Sequence, residues 1–277
     1  MIDIVTVVFK QELPVLQAQA QSVERYCQDI GIRNIYVVVN DDESVVGEID
    51  SAWWGALGNK VLVIPRSAFS ADYSDNGWLS QQALKLMTAA VSYNTWSMVL
   101  DAKTIFVKPL QMSELLDSQE RPQVGQLDIY PVFDRSKQIV NELFDIDLQQ
   151  QLGPGGVPFI INNQMARALI AEVEHRTAMK FPEWFQAQGM LTEFILYSGY
   201  IQYRGLTNVL YNVDNNAIVP TNVCHSEVGA FDRKFDSMQN SLTVSVHRNA
   251  WTEFTAEQRQ QYQHFLIDRG VIAAWKI

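Results

Sequence analysis

The sequence is poor in everything that would build a covalent or metal framework. Only two cysteines, Cys27 and Cys224, stand among 277 residues, too few for a disulfide scaffold, and no cysteine spacing reads as a zinc site. The four histidines, at positions 175, 225, 247 and 264, are too scattered for a helical metal pair. Long apolar runs are missing: none approaches the roughly 20 residues a membrane helix needs, and the stretch from Ile2 to Phe9 is interrupted by Asp3. No basic segment precedes it, so no secretory signal is expected, and a reducing, cytoplasmic setting is. Positive charge is scarce too. Against 31 Asp and Glu stand 21 Lys and Arg, a net charge of −10, which argues against a nucleic-acid groove because duplex binding rests on phosphate neutralisation. A small local basic pocket for a phosphorylated ligand is compatible with that balance. There is no GxxxxGK[ST], no GxGxxG after the first apolar run and no GxSxG, so P-loop, ordinary Rossmann and serine-hydrolase readings lose support.

What remains is a globular composition, 47% hydrophobic, with no repeat, low-complexity tract or linker. The first third alternates strand and helix signals. Ile2 to Phe9 suits a strand buried on both faces. Pro14 opens a helix whose stripe is Leu16, Ala20, Val23, Cys27 and Ile30, ended by Gly31. Strands are expected at 35–39, before Asn40-Asp41-Asp42, and at 60–64. A loop over 67–77 leads to a helix with Leu79, Ala83, Leu86 and Ala90 inward, then a strand over 97–100 that delivers Asp101 to its carboxyl end. Such alternation means an α/β sheet with crossover helices. Further on, a strand is expected over 126–133, a helix over 139–152, a turn at 153–156 and a strand over 157–161. Asn163 is a candidate cap for a helix to His175, and Thr192 for a helix over 193–204. A last strand spans 242–247, and Thr255 with Gln258 forms a capping-box pattern.

Ligands of open α/β sheets gather at the carboxyl ends of strands, which directs attention to Trp96-Ser97-Met98-Val99-Leu100-Asp101-Ala102-Lys103. An apolar strand ending in an acid, with a polar residue two positions on, resembles the Asp-x-Asp signature of GT-A-fold glycosyltransferases. With WLSQQALKL at 78–86, LDAKTIFVKPL at 100–110, TEFILY at 192–197 and SVHRNAW at 245–251 in order, the chain resembles a poorly characterised group of bacterial and viral glycosyltransferase-like proteins of that fold. The resemblance implies a GT-A-like, Rossmann-type mixed sheet flanked by helices in a single compact domain. Residues 1–112 would form the nucleotide-sugar-binding half and 113–277 the acceptor-binding and closing half. It implies a glycosyltransferase that moves a hexose-like unit from a nucleotide-diphosphate donor to an unidentified glycan or other hydroxyl acceptor.

Such enzymes usually recruit a divalent cation, Mn2+ or Mg2+, with the Asp-x-Asp carboxylates and a late histidine, here Asp101 and His247. Lys103 departs from the pattern: an ammonium cannot ligate a metal but neutralises phosphate directly, so metal-dependent and metal-independent readings both stand. Donor-binding candidates are Thr6, Lys10, Asn40, Asp41, Gln82, Lys85, Asp101, Lys103, His247 and Arg248. The catalytic candidates are Asp101 and Glu193; at a helix start, Glu193 is expected to be ionised and so able to act as base. Against each stands a plainer reading: strand ends are commonly Asn and Asp turns, lysines are commonly solvated, and an isolated histidine is commonly structural. His175, His225 and His264 take that plainer reading. Trp184, Phe185, Tyr197, Tyr200 and Trp251 would offer a flat face to a sugar, though aromatics at helical spacing are more often core. A nucleotidyltransferase is disfavoured because Val8 to Glu12 holds no glycine. A catalytically silent carbohydrate-binding or scaffold protein remains the alternative of a different class.

Overall fold

The computed structural model describes residues 1–70, 76–215 and 218–271. In chain order the strands are β1 (Ile2–Val8), β2 (Ile32–Val39), β3 (Val61–Pro65), β4 (Trp96–Asp101), β5 (Ile105–Phe106), β6 (Gln126–Asp128), β7 (Gln150–Leu152), β8 (Phe159–Asn162), β9 (Pro220–Val223) and β10 (Thr243–Val246). The main sheet runs β3-β2-β1-β4-β8, with β8 antiparallel to β4 and the other neighbours parallel. Two small sheets, β5-β10-β9 and β6-β7, complete the mixed α/β architecture.

The apolar first strand takes the central place its sequence suggests, all seven residues buried. Helices cover it: α1 (Leu13–Tyr26) carries Pro14 in its first turn, and α2 (Gly77–Val91) packs on β1. The stripe through Cys27 and Ile30 is interrupted, because α1 stops at Tyr26 and a 3-10 turn (Gln28–Ile30) carries Ile30 into the core before Gly31 takes φ +61°. Asp3, the polar break in β1, is buried and accepts hydrogen bonds from Asn34 N (3.0 Å), Asn94 Nδ2 (2.6 Å) and Ser92 Oγ. It serves the sheet end opposite Asp101.

The second half departs from expectation in three places. Strand β6 ends at Asp128 and Pro131–Phe133 is a 3-10 turn, since Pro131 has no N–H for a ladder. The helix expected over 139–152 is the shorter Asp134–Phe144; Asp145 adopts a left-handed conformation (φ 54°) and the chain returns as β7 to pair with β6. Asn162, not Asn163, caps the Asn163–Thr177 helix, accepting from Met165 N at 3.1 Å. Strand β9 was not legible because Thr221 and Asn222 dilute its apolar pattern. Residues 71–75 of the expected 67–77 loop lie outside the described residues. Among the described residues no helix is long and apolar enough to cross a membrane.

Candidate active site

Strand β1 has β2 on one side and β4 on the other, so the chain leaves its carboxyl end toward one edge and later returns on the opposite side. Crevices of open sheets form at such switch points. A cavity of about 620 Å3 opens here, within the size range of small-molecule sites. Phe9, Gln11 and Glu12 enter it from the exit of β1; Trp78, Gln82 and Lys85 from α2; Asp101 and Lys103 from the exit of β4. The second half contributes Gln151 and Gly155, Glu193 and Phe194, and, from the β5-β10-β9 sheet, Asn222, His247 and Arg248.

Its centre is a chain of alternating charge. Lys103 Nζ lies 2.8 Å from Asp101 Oδ2, Lys85 Nζ lies 2.6 Å from Asp101 Oδ1, and the same Lys85 Nζ lies 2.9 Å from Glu193 Oε1. The turn after β4, closed by Thr104 N on Asp101 O (2.9 Å), brings Lys103 back over the acid two residues before it. The Lys85 and Glu193 side chains are only 3% and 1% exposed. With its amide oriented to suit its neighbours, Gln82 donates to the Glu193 carboxylate and accepts from Trp78 Nε1 at 3.1 Å. Charges so deeply buried persist only when paired.

These environments set protonation. Burial works against the charged form of Asp101, but Lys103 and Lys85 together hold its carboxyl well below the usual range. Burial likewise works against Lys85, yet Asp101 and Glu193 keep its ammonium charged more firmly than a free lysine's. Glu193 goes the other way: burial raises its pKa more than Lys85 lowers it. Desolvation thus outweighs the dipole effect of about 0.3–1 kcal/mol that a helix N-terminus contributes, and it is Lys85 and Gln82 that partner the Glu193 carboxylate. Burial also weakens the acidity of Glu12.

His247 caps the Arg248–Glu253 helix, its Nδ1 accepting from Asn249 N at 3.2 Å. Burial, then Lys103 and Arg248, depress its pKa, so near neutrality it presents Nε2–H as a donor. Arg248 is exposed and makes no ion pair among the described residues. A divalent cation needs several convergent oxygen or imidazole donors. Here both Asp101 oxygens already accept from ammoniums, Lys103 stands where a second carboxylate would, and no cluster of three His, Cys, Asp or Glu side chains occurs among the described residues. Asp101 and His247 as placed do not fit a divalent cation.

The chain belongs to the family of unknown function DUF6492. The match spans residues 10–256. No curated protein sequence matches it. Solved structures with the same fold include the galactosyltransferase LgtC in complex with donor and acceptor sugar analogs, 12% identical, with a TM-score of 0.52 over 98% of this chain and 100% of that one. An active-site variant of LgtC is 13% identical, with a TM-score of 0.54 over 96% and 95% of the two chains. This is the expected GT-A-type fold.

Of the candidate residues, the structure gathers Gln82, Lys85, Asp101, Lys103, Glu193, His247 and Arg248 on the cavity of this family member. Four others lie outside its lining. Thr6 is buried and donates to Gln19 Oε1 (2.8 Å), while Gln19 Nε2 donates to the backbone oxygen of Asp101 (2.5 Å), so Thr6 supports the β4 turn from behind. Asn40 ties β2 to α2 through Gly77 O (2.9 Å) and Ser80 Oγ (2.8 Å). Asp41 accepts from Lys10 N (2.9 Å), and Lys10 pairs with Asp42 (2.7 Å) in an exposed bridge worth little. The plainer reading of the aromatics holds: Trp184, Phe185, Tyr197, Tyr200 and Trp251 are core, and the cavity draws its rings from Phe9, Trp78, Phe133 and Phe194. Sequence reasoning missed Gln11, Glu12, Gln151 and Asn222. The first two follow β1 at the switch point and were findable from strand order alone; the last two carry no local signal.

Proposed function

We propose that this chain transfers a sugar from a nucleotide-diphosphate donor to a hydroxyl acceptor, residues 1–112 holding the donor and 113–277 closing over the acceptor. The observation that carries this reading is the Lys103–Asp101–Lys85–Glu193 chain on the cavity at the carboxyl end of β4. Fixed positive charge beside a developing anion is the largest single source of rate in such chemistry. As the bond from the anomeric carbon to the phosphate oxygen breaks, its electron pair stays on the diphosphate, which Lys103, Arg248 and the Nε2–H of His247 stabilise. Asp101 fixes both ammoniums. The acceptor oxygen forms the new bond at the anomeric carbon, and its proton passes to the Glu193 carboxylate, which Lys85 and Gln82 hold in place.

Calorimetric titration with UDP, GDP and ADP in excess chelator tests the donor half. One of them is expected to bind without divalent cation and to raise the melting temperature, and Lys103→Ala to weaken it by about tenfold or more, as expected for loss of a charge-assisted contact. A second reading, a silent carbohydrate-binding relative, is favoured by one feature: each carboxylate of the central chain is already paired within the protein. Absence of any nucleoside diphosphate effect decides for that reading.

A further inference from the structure

The cavity has a second polar wall that the charged chain does not use. Gln151, on β7, is 2% exposed, yet its Nε2 has no hydrogen-bond partner. A buried amide donor left unpaired is unfavourable in the free protein, and although this nitrogen is shielded, its residue forms part of the cavity wall, so a ligand oxygen seated there would give the amide the partner it lacks. Asn222, on β9, lines the same cavity. Its Oδ1 accepts from Ser245 Oγ at 2.6 Å, which fixes the amide so that Nδ2 points away from Ser245. The two amides lie beside consecutive glycines: a Cβ at Gly155 would sit 3.2 Å from Leu127 Cδ1 and 3.5 Å from Gln151 Nε2, and one at Gly156 would sit 3.9 Å from Asn222 Nδ2 with nothing else near. Gly155 has φ +76° and needs glycine; Gly156 carries no such backbone demand. Gly156 thus leaves open the space before Asn222, while Gly155 lets the chain pass close to Gln151 and Leu127.

We infer that Gln151 and Asn222 form a hydroxyl-reading subsite for one sugar ring. It deepens the transferase reading and rests on it. Two side-chain amides lining one cavity beside consecutive glycines carry N–H donors and, in Gln151, a carbonyl acceptor, the complement of ring hydroxyls. The ring is either the sugar of the donor or that of the acceptor; the chemistry is the same, and the test separates the two.

The probes are UDP and GDP, their glucose, galactose and mannose conjugates, and the free methyl glycosides of those hexoses, applied to wild type, Gln151→Leu and Gly156→Ala. Gln151→Leu removes the unpaired amide at similar volume, so its melting temperature is expected to equal or exceed the wild-type value. Gly156→Ala places a methyl before Asn222 without backbone strain. If the ring belongs to the donor, one conjugate binds wild type more tightly than its bare nucleotide, and both variants lose about three- to tenfold of that increment, the scale of one or two neutral hydrogen bonds, leaving bare-nucleotide affinity intact. If the ring belongs to the acceptor, saturation transfer to a methyl glycoside is seen with wild type and is lost in both variants. That arm needs no nucleotide, so it reports on the subsite even where nucleotide binding fails. The inference is overturned if Gln151→Leu lowers the melting temperature by several degrees, which marks a structural amide, or if no sugar probe distinguishes wild type from the two variants.

Discussion

Lys85 is the residue on which the central charges depend. Replacing it by Met leaves Asp101 and Glu193 buried together with no cation between them, and breaking such a pair typically costs about 3–5 kcal/mol. Urea unfolding of Lys85→Met is expected to show a loss of that size, and adding Glu193→Gln to recover part of it. An unchanged midpoint for the single variant would mean that the two carboxylates are not held by this ammonium. His247 offers a check that leaves stability aside. Lys103 and Arg248 help depress its pKa from the ordinary 6.5, so a bound diphosphate that offsets those charges should raise it. Proton NMR is expected to find the free protein's His247 titrating below 6.5 and moving upward when a nucleoside diphosphate is added. At this scale Asp101 and Lys103 were legible, because a strand end and a two-residue spacing are local. The partnership of Lys85 with Glu193, 108 residues away, was not, because it depends on how two helices meet.

Helices place that pair. Helix α2 is anchored by Asn40, whose two bonds to Gly77 O and Ser80 Oγ join its first turn to the end of β2. Asn40→Ala is expected to destabilise by about 1–3 kcal/mol, the cost of leaving buried partners unmet, with a larger effect on the melting temperature than on nucleotide affinity. The Glu193–Tyr203 helix approaches the Asp134–Phe144 helix through Gly199, where an added Cβ would overlap Val140 Cγ1. Gly199→Ala should therefore cost about 1–3 kcal/mol by overpacking, and Val140→Ala in the same chain should restore most of it. If the single variant is as stable as wild type, the two helices are not in close contact there. Helix caps such as Thr192 were readable because the cap residue and the N–H it satisfies are three positions apart. The Asp134–Phe144 helix was misjudged because its stop is a non-glycine residue in a left-handed conformation, Asp145, which composition does not announce.

For the whole molecule, the buried charges predict how stability depends on pH. Asp101 has a native pKa below its ordinary 3.8, so its contribution is present above that value and is lost as pH falls through it. Lys85 has a native pKa above its ordinary 10.5, so its contribution is present below that value and lost as pH rises beyond it. Glu193 is displaced upward from 4.5: the native state binds the extra proton, and its effect on stability improves as pH falls toward 4.5. Unfolding midpoints of wild type and Glu193→Gln, compared as pH falls toward 4.5, should move in favour of the wild type. A constant difference would contradict the displaced Glu193.

The amino-acid order alone determined the alternation of buried strands with helices in the first third and the placement of Asp101 at a strand tip, since periodicity and capping act over a few residues and need no distant partner. Only tertiary structure decided that Lys85 bridges two acids, that Thr6 and Asn40 brace the site from outside its lining, and that Gln151 and Asn222 line one cavity beside a glycine pair. Those relations join segments tens to more than a hundred residues apart. Packing, rather than any local pattern, brings such segments together.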